Sequence, residues 1–323
     1  RIFSWLVDPE PPGLGIDIRQ DEIAVVRLSE KRKPLEIDLS FTSPLPEGLL
    51  HLHMLEPNIL DEEAFSKTVE GALVRAQLGG RKRMALSLPD HLARIAVMEL
   101  PDPPRSSAEL VEFLKFRMKK SLPFDVERAR VAFERLPGEV PTFLTGVMHE
   151  AVISQYEEAF TRLGYQVGLV LPASVSLLQL LRPLARRELA PGDDYFFVNA
   201  ERAYFSVSLV RDRDVPVLIR TLGLSADDGV PRIYGEEDFL QEIIPTAIYY
   251  REKLEGRALA RVYYRSLRPD FLHIRDILES QFEAPSEPFH LGKAIAVGRE
   301  VALAAEAADA IAAAAGAARG KAA

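Results

Sequence analysis

Ile16-Asp17-Ile18 and Val198-Asn199-Ala200 open two stretches that repeat one another at an offset of 182 residues. Ile23, Val25 and Leu28 sit over Phe205, Val207 and Val210. The charged corner Ser29-Glu30-Lys31-Arg32-Lys33 sits over Arg211-Asp212-Arg213-Asp214, Pro34 over Pro216, and Leu35 and Ile37 over Val217 and Ile219. Self-similarity at a fixed spacing marks duplicated architecture. Each copy reads as strand, turn, strand, charged turn, strand. In the first, Leu35, Ile37, Leu39 and Phe41 alternate with Glu36, Asp38 and Ser40, the period of a half-buried strand. In the second, Ala203, Phe205, Val207 and Leu209 alternate with Tyr204, Ser206, Ser208 and Val210.

Around this repeat the chain has 323 residues, enough at about 150 per domain for two lobes. Charged residues at 27% and hydrophobic ones at 47% are ordinary globular values. The net charge of -8 argues against nucleic acid, which wants a basic face. The absence of cysteine excludes disulfides and thiolate zinc sites and is compatible with a reducing compartment. No stretch approaches the roughly 20 apolar residues of a membrane span, and no signal peptide is visible. The chain opens on Arg1 rather than Met, so it reads as trimmed, and a membrane segment outside it stays open.

Residues 1–12 join Ile2, Phe3, Trp5 and Leu6 to Pro9-Glu10-Pro11-Pro12 and read as an arm, packed on the domain or touching a partner or membrane surface. Asp61 predicts the cap of a helix over 61–78, with Phe65, Val69 and Leu73 on one face and Gly79-Gly80 at its end. Strands at 84–88 and 93–98 flank Pro89-Asp90-His91. Ser106 with Glu109 makes a capping box ahead of a helix carrying Leu110, Leu114 and Met118. Strands near 129–136 and 142–148 and a helix over 150–163 complete a β-α-β-β-α insert. A strand at 166–171 and a helix over 173–189, kinked at Pro183, close the first half. The second half adds the loop Ser225-Ala226-Asp227-Asp228-Gly229, a helix over 236–254 interrupted by Pro245, a strand at 261–265 and a helix over 270–282. Its tail, 299–318, is Ala-rich and reads as helix.

A duplicated unit of this kind is the plan of the actin-like ATPase superfamily. Gly15-Ile16-Asp17-Ile18 followed by Ile23-Ala24-Val25-Val26-Arg27-Leu28-Ser29 resembles the opening strands of PilM, the actin-like protein of type IV pilus assembly. So do the run from Phe113-Leu114-Lys115-Phe116 through Ser121-Leu122-Pro123-Phe124 to Val131-Ala132-Phe133-Glu134-Arg135-Leu136, and Tyr249-Tyr250-Arg251. The resemblance, to the branch that holds PilM and FtsA, implies an α/β, ribonuclease H-like duplicated fold of two lobes. It divides the chain into an arm (1–12), a first lobe core termed 1A (13–98 and 165–190), an inserted subdomain termed 1C (99–164) and a second lobe (191–323). Within the second lobe, about 225–282 would form subdomain 2B and 299–318 the C-terminal helix.

The chemistry departs from that family. Its members cradle phosphates with glycines and small hydroxyls in the two hairpin turns, where a Cβ would block the approach of backbone N–H groups. The first turn here is Asp17-Ile18-Arg19-Gln20-Asp21-Glu22, and the second is Asn199-Ala200-Glu201-Arg202-Ala203-Tyr204. The family's adenosine-side Gly-Gly is replaced by Arg265-Ser266-Leu267-Arg268-Pro269. Asp17 reads as a strand-end acid rather than a magnesium-side carboxylate. Arg19 and Arg202 could meet a phosphate side-on without replacing the cradle. The degenerate nucleotide positions are therefore Asp17, Arg19, Gln20, Asn199, Glu201, Arg202 and Ser266, with no catalytic residue, cofactor or metal expected. Of the six histidines only His51 and His53 lie close together, and they read as surface residues.

By resemblance the chain is a non-catalytic scaffold, cytoplasmic and peripheral at the inner membrane. It would bind the N-terminal peptide of a PilN-like membrane protein, with other platform or motor components as further candidates. The groove would be lined by the insert, with Leu114, Phe116, Met118, Phe124 and Phe143 as candidates where exposed and as subdomain core otherwise. Short basic runs, Lys31-Arg32-Lys33 and Arg81-Lys82-Arg83, read as solvated turns. The alternatives are a weak ATPase that binds ATP with magnesium, and a GspL-like cytoplasmic domain of a type II secretion platform.

Overall fold

Strand-forming runs and capped helical runs succeed one another in the computed structural model much as the sequence predicts. The first half holds β1 (Leu14–Ile18), β2 (Glu22–Leu28), β3 (Glu36–Pro44), α1 (Glu62–Arg75), β4 (Arg83–Leu88), β5 (Ala93–Glu99), α2 (Ser107–Met118), β6 (Ala129–Leu136), β7 (Thr142–His149), α3 (Glu150–Arg162), β8 (Gln166–Pro172) and α4 (Ala173–Glu188). The second holds β9 (Tyr195–Ala200), β10 (Phe205–Arg211), β11 (Val215–Leu222), α5 (Glu236–Lys253), β12 (Arg261–Ser266), α6 (Ile274–Phe282), β13 (Ser286–Pro288), α7 (Leu291–Ala294), β14 (Ala296–Val297) and α8 (Ala308–Arg319). The structure describes residues 13–29, 35–76, 83–224, 231–232, 235–253, 259–299, 301–303 and 307–319. Expectations for the arm 1–12, the corner Glu30–Pro34, Gly79-Gly80, Arg81-Lys82 and the loop Ser225–Gly229 lie outside the described residues.

The repeat holds to the residue through two strands. β1 and β2 are antiparallel with Ile18 opposite Ile23, and β9 and β10 are antiparallel with Ala200 opposite Phe205. Both copies then shift register at the same place, between Arg27 and Leu28 and between Leu209 and Val210. Past that point the offset slips. Leu28 opposes Ile37 but Val210 opposes Pro216, so the third strands are related by 216 − 37 = 179 residues rather than 182. The cause is the tighter second turn, where Asp212 and Arg213 take left-handed φ of 49° and 63°.

The chain divides into two units, one made of the stretches up to Leu181 and from Leu291, the other of Arg182–His290. The first unit is built on a six-stranded sheet in the order β14-β3-β2-β1-β4-β8. Leu14, Ile16, Ile18, Ile23, Val25 and Leu86 on one face pack with Phe65 and Val69 of α1 and Val152, Tyr156 and Phe160 of α3. Asp61 caps α1 by accepting from Ala64 N at 2.9 Å, as its position predicts. The other face carries Gly15, Ala24 and Ala85, and α8 lies across it. A Cβ on Gly15 would land on the carbonyl oxygen of Ala310, so only glycine admits the helix at this separation.

The second unit is a five-stranded sheet, β11-β10-β9-β12-β13. Phe196, Val198, Phe205 and Val207 pack with Phe239 and Ile243 of α5 and Leu278 and Phe282 of α6. The two sheets share one plan, an antiparallel triplet continued by two parallel strands.

Four expectations are corrected. The Ala-rich tail belongs with the first unit and its helix starts at Ala308 rather than 299. An alanine flank needs a sheet of small residues, and the position of Gly15 in the first sheet is that of Phe197 in the second. The insert runs over 93–149. β5 joins a three-stranded sheet, β5-β7-β6, while α3 belongs to the first core, its Tyr156 and Phe160 rings meeting Phe65 edge-on at 6.4 and 6.3 Å. Residues 225–282 form no separate subdomain among the described residues, because β12 pairs with β9 and α5 covers the same sheet. α5 continues through Pro245 rather than being interrupted there. Among the described residues no helix is long and apolar enough to cross a membrane.

Candidate functional site

The turn between β1 and β2 is closed by Arg19 N donating to Glu22 O at 2.9 Å. Asp17 points to the face that carries α8, opposite to Ile16 and Ile18, because successive strand residues alternate. The Arg19 side chain folds back over it. Its guanidinium lies 2.8 Å from the Asp17 carboxylate and 3.5 Å from that of Asp309 in the first turn of α8, and also pairs with Glu22. Asp17, Arg19 and Asp309 are all buried. Gln20 is held by the following loop, donating to Leu50 O and accepting from Leu52 N.

The second turn repeats the backbone bond, Glu201 N to Tyr204 O at 2.9 Å. Here the guanidinium comes from a different strand. Arg265 lies directly opposite Asn199 in the parallel pair of β12 with β9. It donates to Asn199 Oδ1 at 2.7 Å and to Glu201 Oε1 at 2.6 Å, and Asn199 Nδ2 donates to Glu201 at 3.1 Å. All three side chains are buried. Ser266 Oγ accepts from Arg268 N at 3.1 Å, and Arg202 contributes its carbonyl oxygen to Arg268 while its side chain is exposed. Each turn thus places a buried guanidinium on strand-end oxygens, with the turn's own N–H bonded inside the turn.

In the insert, α2 covers one face of the three-stranded sheet. Its Leu110, Leu114 and Met118 pack on Val131, Phe143 and Val147, and Ser106 caps it by accepting from Glu109 N. The groove expectation therefore fails for Leu114, Met118 and Phe143, which are core because the helix lies down on the sheet. Phe124 is half-buried, edge-on to His149 at 4.9 Å between ring centres. Phe116 alone of the five is exposed, at 72%.

The other face of the same sheet meets the first core through Ala93, Ile95 and Met148. Register puts Ile95, Gly146 and Ala132 in one row across it, and Val97, Leu144 and Glu134 in the next. A Cβ on Gly146 would meet nothing within 4 Å. Arg130 on this face donates to Glu150 at 2.9 Å and Glu157 at 2.6 Å on α3. His149 caps α3 by accepting from Ala151 N at 3.2 Å, and burial followed by the nearby Arg128 lowers its pKa, keeping the ring a neutral acceptor.

The rings of His51 and His53 stack 5.8 Å apart, and among the described residues no group of three or more His, Cys, Asp or Glu could hold a metal ion.

No protein-family model matches the sequence, and no curated protein matches it either. Solved structures do. The PilM-PilN type IV pilus biogenesis complex aligns over 97% of this chain and 99% of its own at 19% identity, with a TM-score of 0.76. A Bacteroides thetaiotaomicron protein of unknown function, described as having an actin-like ATPase fold, aligns over 87% of this chain and 91% of its own at 9% identity and a TM-score of 0.52. The fold is the actin-like ATPase fold. The two arginine-filled turns are the ones that the family resemblance reads as phosphate-binding loops. Asp17, Arg19 and Gln20 are brought together at the first turn, and Asn199 and Glu201 with Arg265 at the second. Sequence reading took Arg265 for bulk alone and had no means of pairing it with Glu201, 64 residues away in the chain.

Proposed function

We propose that this chain is a non-catalytic, PilM-like scaffold on the cytoplasmic side of a type IV pilus or related inner-membrane platform. Its task is to hold the N-terminal peptide of a PilN-like membrane protein. The observation that carries the first half is the pair of buried arginines at the two turns. A triphosphate needs backbone N–H groups aimed at it and a cation beside it. At the first turn it would meet Asp17, Glu22 and Asp309 gathered around one guanidinium, an arrangement that repels further anions. At the second, the Arg265 guanidinium is already engaged by Asn199 and Glu201. The partner half is supported by the likeness to a PilM-PilN complex.

Isothermal titration tests both halves. Mg-ATP is expected to give no submillimolar binding, and the cytoplasmic N-terminal peptide of the PilN-like partner is expected to bind. Submillimolar nucleotide binding, abolished by Asp17→Ala, would favour the ATPase reading instead. Partner binding is expected to survive Asp17→Ala.

A further inference from the structure

We propose that the outer side of α2, at its C-terminal end, rests on an anionic bilayer, with Phe116 entering the headgroup layer and Arg117, Lys119 and Lys120 meeting lipid phosphates. The proposal rests on the scaffold reading, which sets the chain beside a membrane, and adds the surface that touches it.

α2 buries one side only. Leu110, Leu114 and Met118 recur every fourth residue and pack on Val131, Phe143 and Val147. At 3.6 residues per turn Phe116 falls near the opposite side. No other Phe, Tyr or Trp among the described residues is as exposed. Phe113, one turn earlier, is exposed as well. A single exposed ring needs no explanation. Two on the outer side of one helix, inside a basic run, form a patch.

Charge selects what covers it. From Phe113 to Phe124 the chain carries Lys115, Arg117, Lys119 and Lys120 and neither Asp nor Glu, within a molecule of net charge -8. Lys115 is engaged by Glu112 at 3.2 Å. Arg117, Lys119 and Lys120 are exposed, and among the described residues none of them pairs with a carboxylate. Nor are they held as helix caps: it is Ser121 Oγ that donates to Met118 O, at 2.7 Å. Glu109 and Glu112 lie in the first half of the helix, so the basic character belongs to its last turn and to the short turn Lys119–Ser121 that follows. Aromatic rings beside Lys and Arg are how a helix lies in a membrane interface, the rings at the acyl boundary and the cations reaching phosphates. An acidic protein surface would answer the cations and leave the rings uncovered. Each Lys or Arg at an anionic bilayer is worth about fivefold in binding.

The test is sedimentation of the whole chain with vesicles of phosphatidylcholine, with and without phosphatidylglycerol. Binding is expected with phosphatidylglycerol, and it should fall steeply between about 0.1 M and 0.5 M salt. The triple variant Arg117→Gln/Lys119→Gln/Lys120→Gln should weaken it about a hundredfold, and Phe116→Ser about tenfold. Both should keep the parental melting temperature, since these side chains are exposed. Trp5→Ser, in the N-terminal arm, should change little. Parent-like binding by either α2 variant would overturn the seat. So would equal binding to both vesicles, or loss in Trp5→Ser with the α2 variants unaffected, which would move the contact to the arm. Capture of a soluble poly-glutamate peptide as tightly as vesicles, insensitive to Phe116→Ser, would give the surface to an acidic partner instead. The PilN-like peptide is titrated without vesicles, so the two readings fail separately. No sedimentation with either vesicle would remove the bilayer contact alone, and failure of the parent chain to bind the peptide would remove the scaffold reading.

Discussion

The two hairpin turns reach one electrostatic end by different routes. In the first unit the guanidinium is local: Arg19 sits in the turn and folds back on Asp17 and Glu22, and Asp309 arrives from the end of the chain. In the second it is distant: Arg265 comes from β12, set opposite Asn199 by the parallel register. The backbone of the two turns is nevertheless the same, down to one N–H···O bond of 2.9 Å in each. A duplicated scaffold thus conserves the shape of a loop while the side chains around it are rebuilt independently. The first turn also depends on a helix that the second lacks, and this makes the two unequal in what should break them.

The largest effect is expected from Gly15→Val. Its side chain would collide with Ala310, lift α8 and draw Asp309 away from Arg19. Destabilisation of more than about 4 kcal/mol, read by urea unfolding, is expected; a loss below 1 kcal/mol would mean that α8 is not seated there. Arg19→Ala comes next. It takes the guanidinium away from the buried Asp17 and Asp309 and the half-buried Glu22 and should cost about 3–5 kcal/mol.

Arg265→Met should cost less, about 2–4 kcal/mol, because Asn199 is neutral and only Glu201 is stranded. Adding Glu201→Gln should restore the double variant to within about 1 kcal/mol of the parent. No recovery in that cycle would show that Arg265 acts through packing rather than charge. The smallest effect belongs to neither turn and calibrates both. Burial lowers the pKa of His91 from 6.5 to about 4, against the pull of its contact with Leu52 O. The folded protein keeps His91 neutral to about pH 4, while the unfolded chain takes up its proton near 6.5, so acid favours unfolding. Stability should fall by about 2 kcal/mol between pH 7 and pH 5 through this group, and His91→Gln should flatten that slope.

Much of this was written in the chain. The period-two run at Ile16 and Ile18, the caps Asp61 and Ser106, and the pairing of Leu110 with Leu114 and Met118 are local signals, each set by residues within a few positions of one another. The absence of glycine from both turns was legible for the same reason. The slip of the third strand was not, since it depends on the left-handed backbone of Asp212 and Arg213. The buried face of α2 was visible, but which side of the sheet it covers was not, so the sequence left Leu114, Met118 and Phe143 open between groove and core.

The sequence by itself determined that the architecture is duplicated, that strands and helices alternate in this order, and that both turns contain neither glycine nor a small hydroxyl. Those are properties of residue type and short spacing. Tertiary structure alone decided where the alanine helix lies, which arginine neutralises which carboxylate, and which face of the insert α2 covers. Each of these joins residues far apart in the chain, and their meeting follows from strand register and from the room that Gly15, Phe197 and Gly146 leave or deny. Such room is a matter of packing in three dimensions, which periodicity along one dimension does not encode.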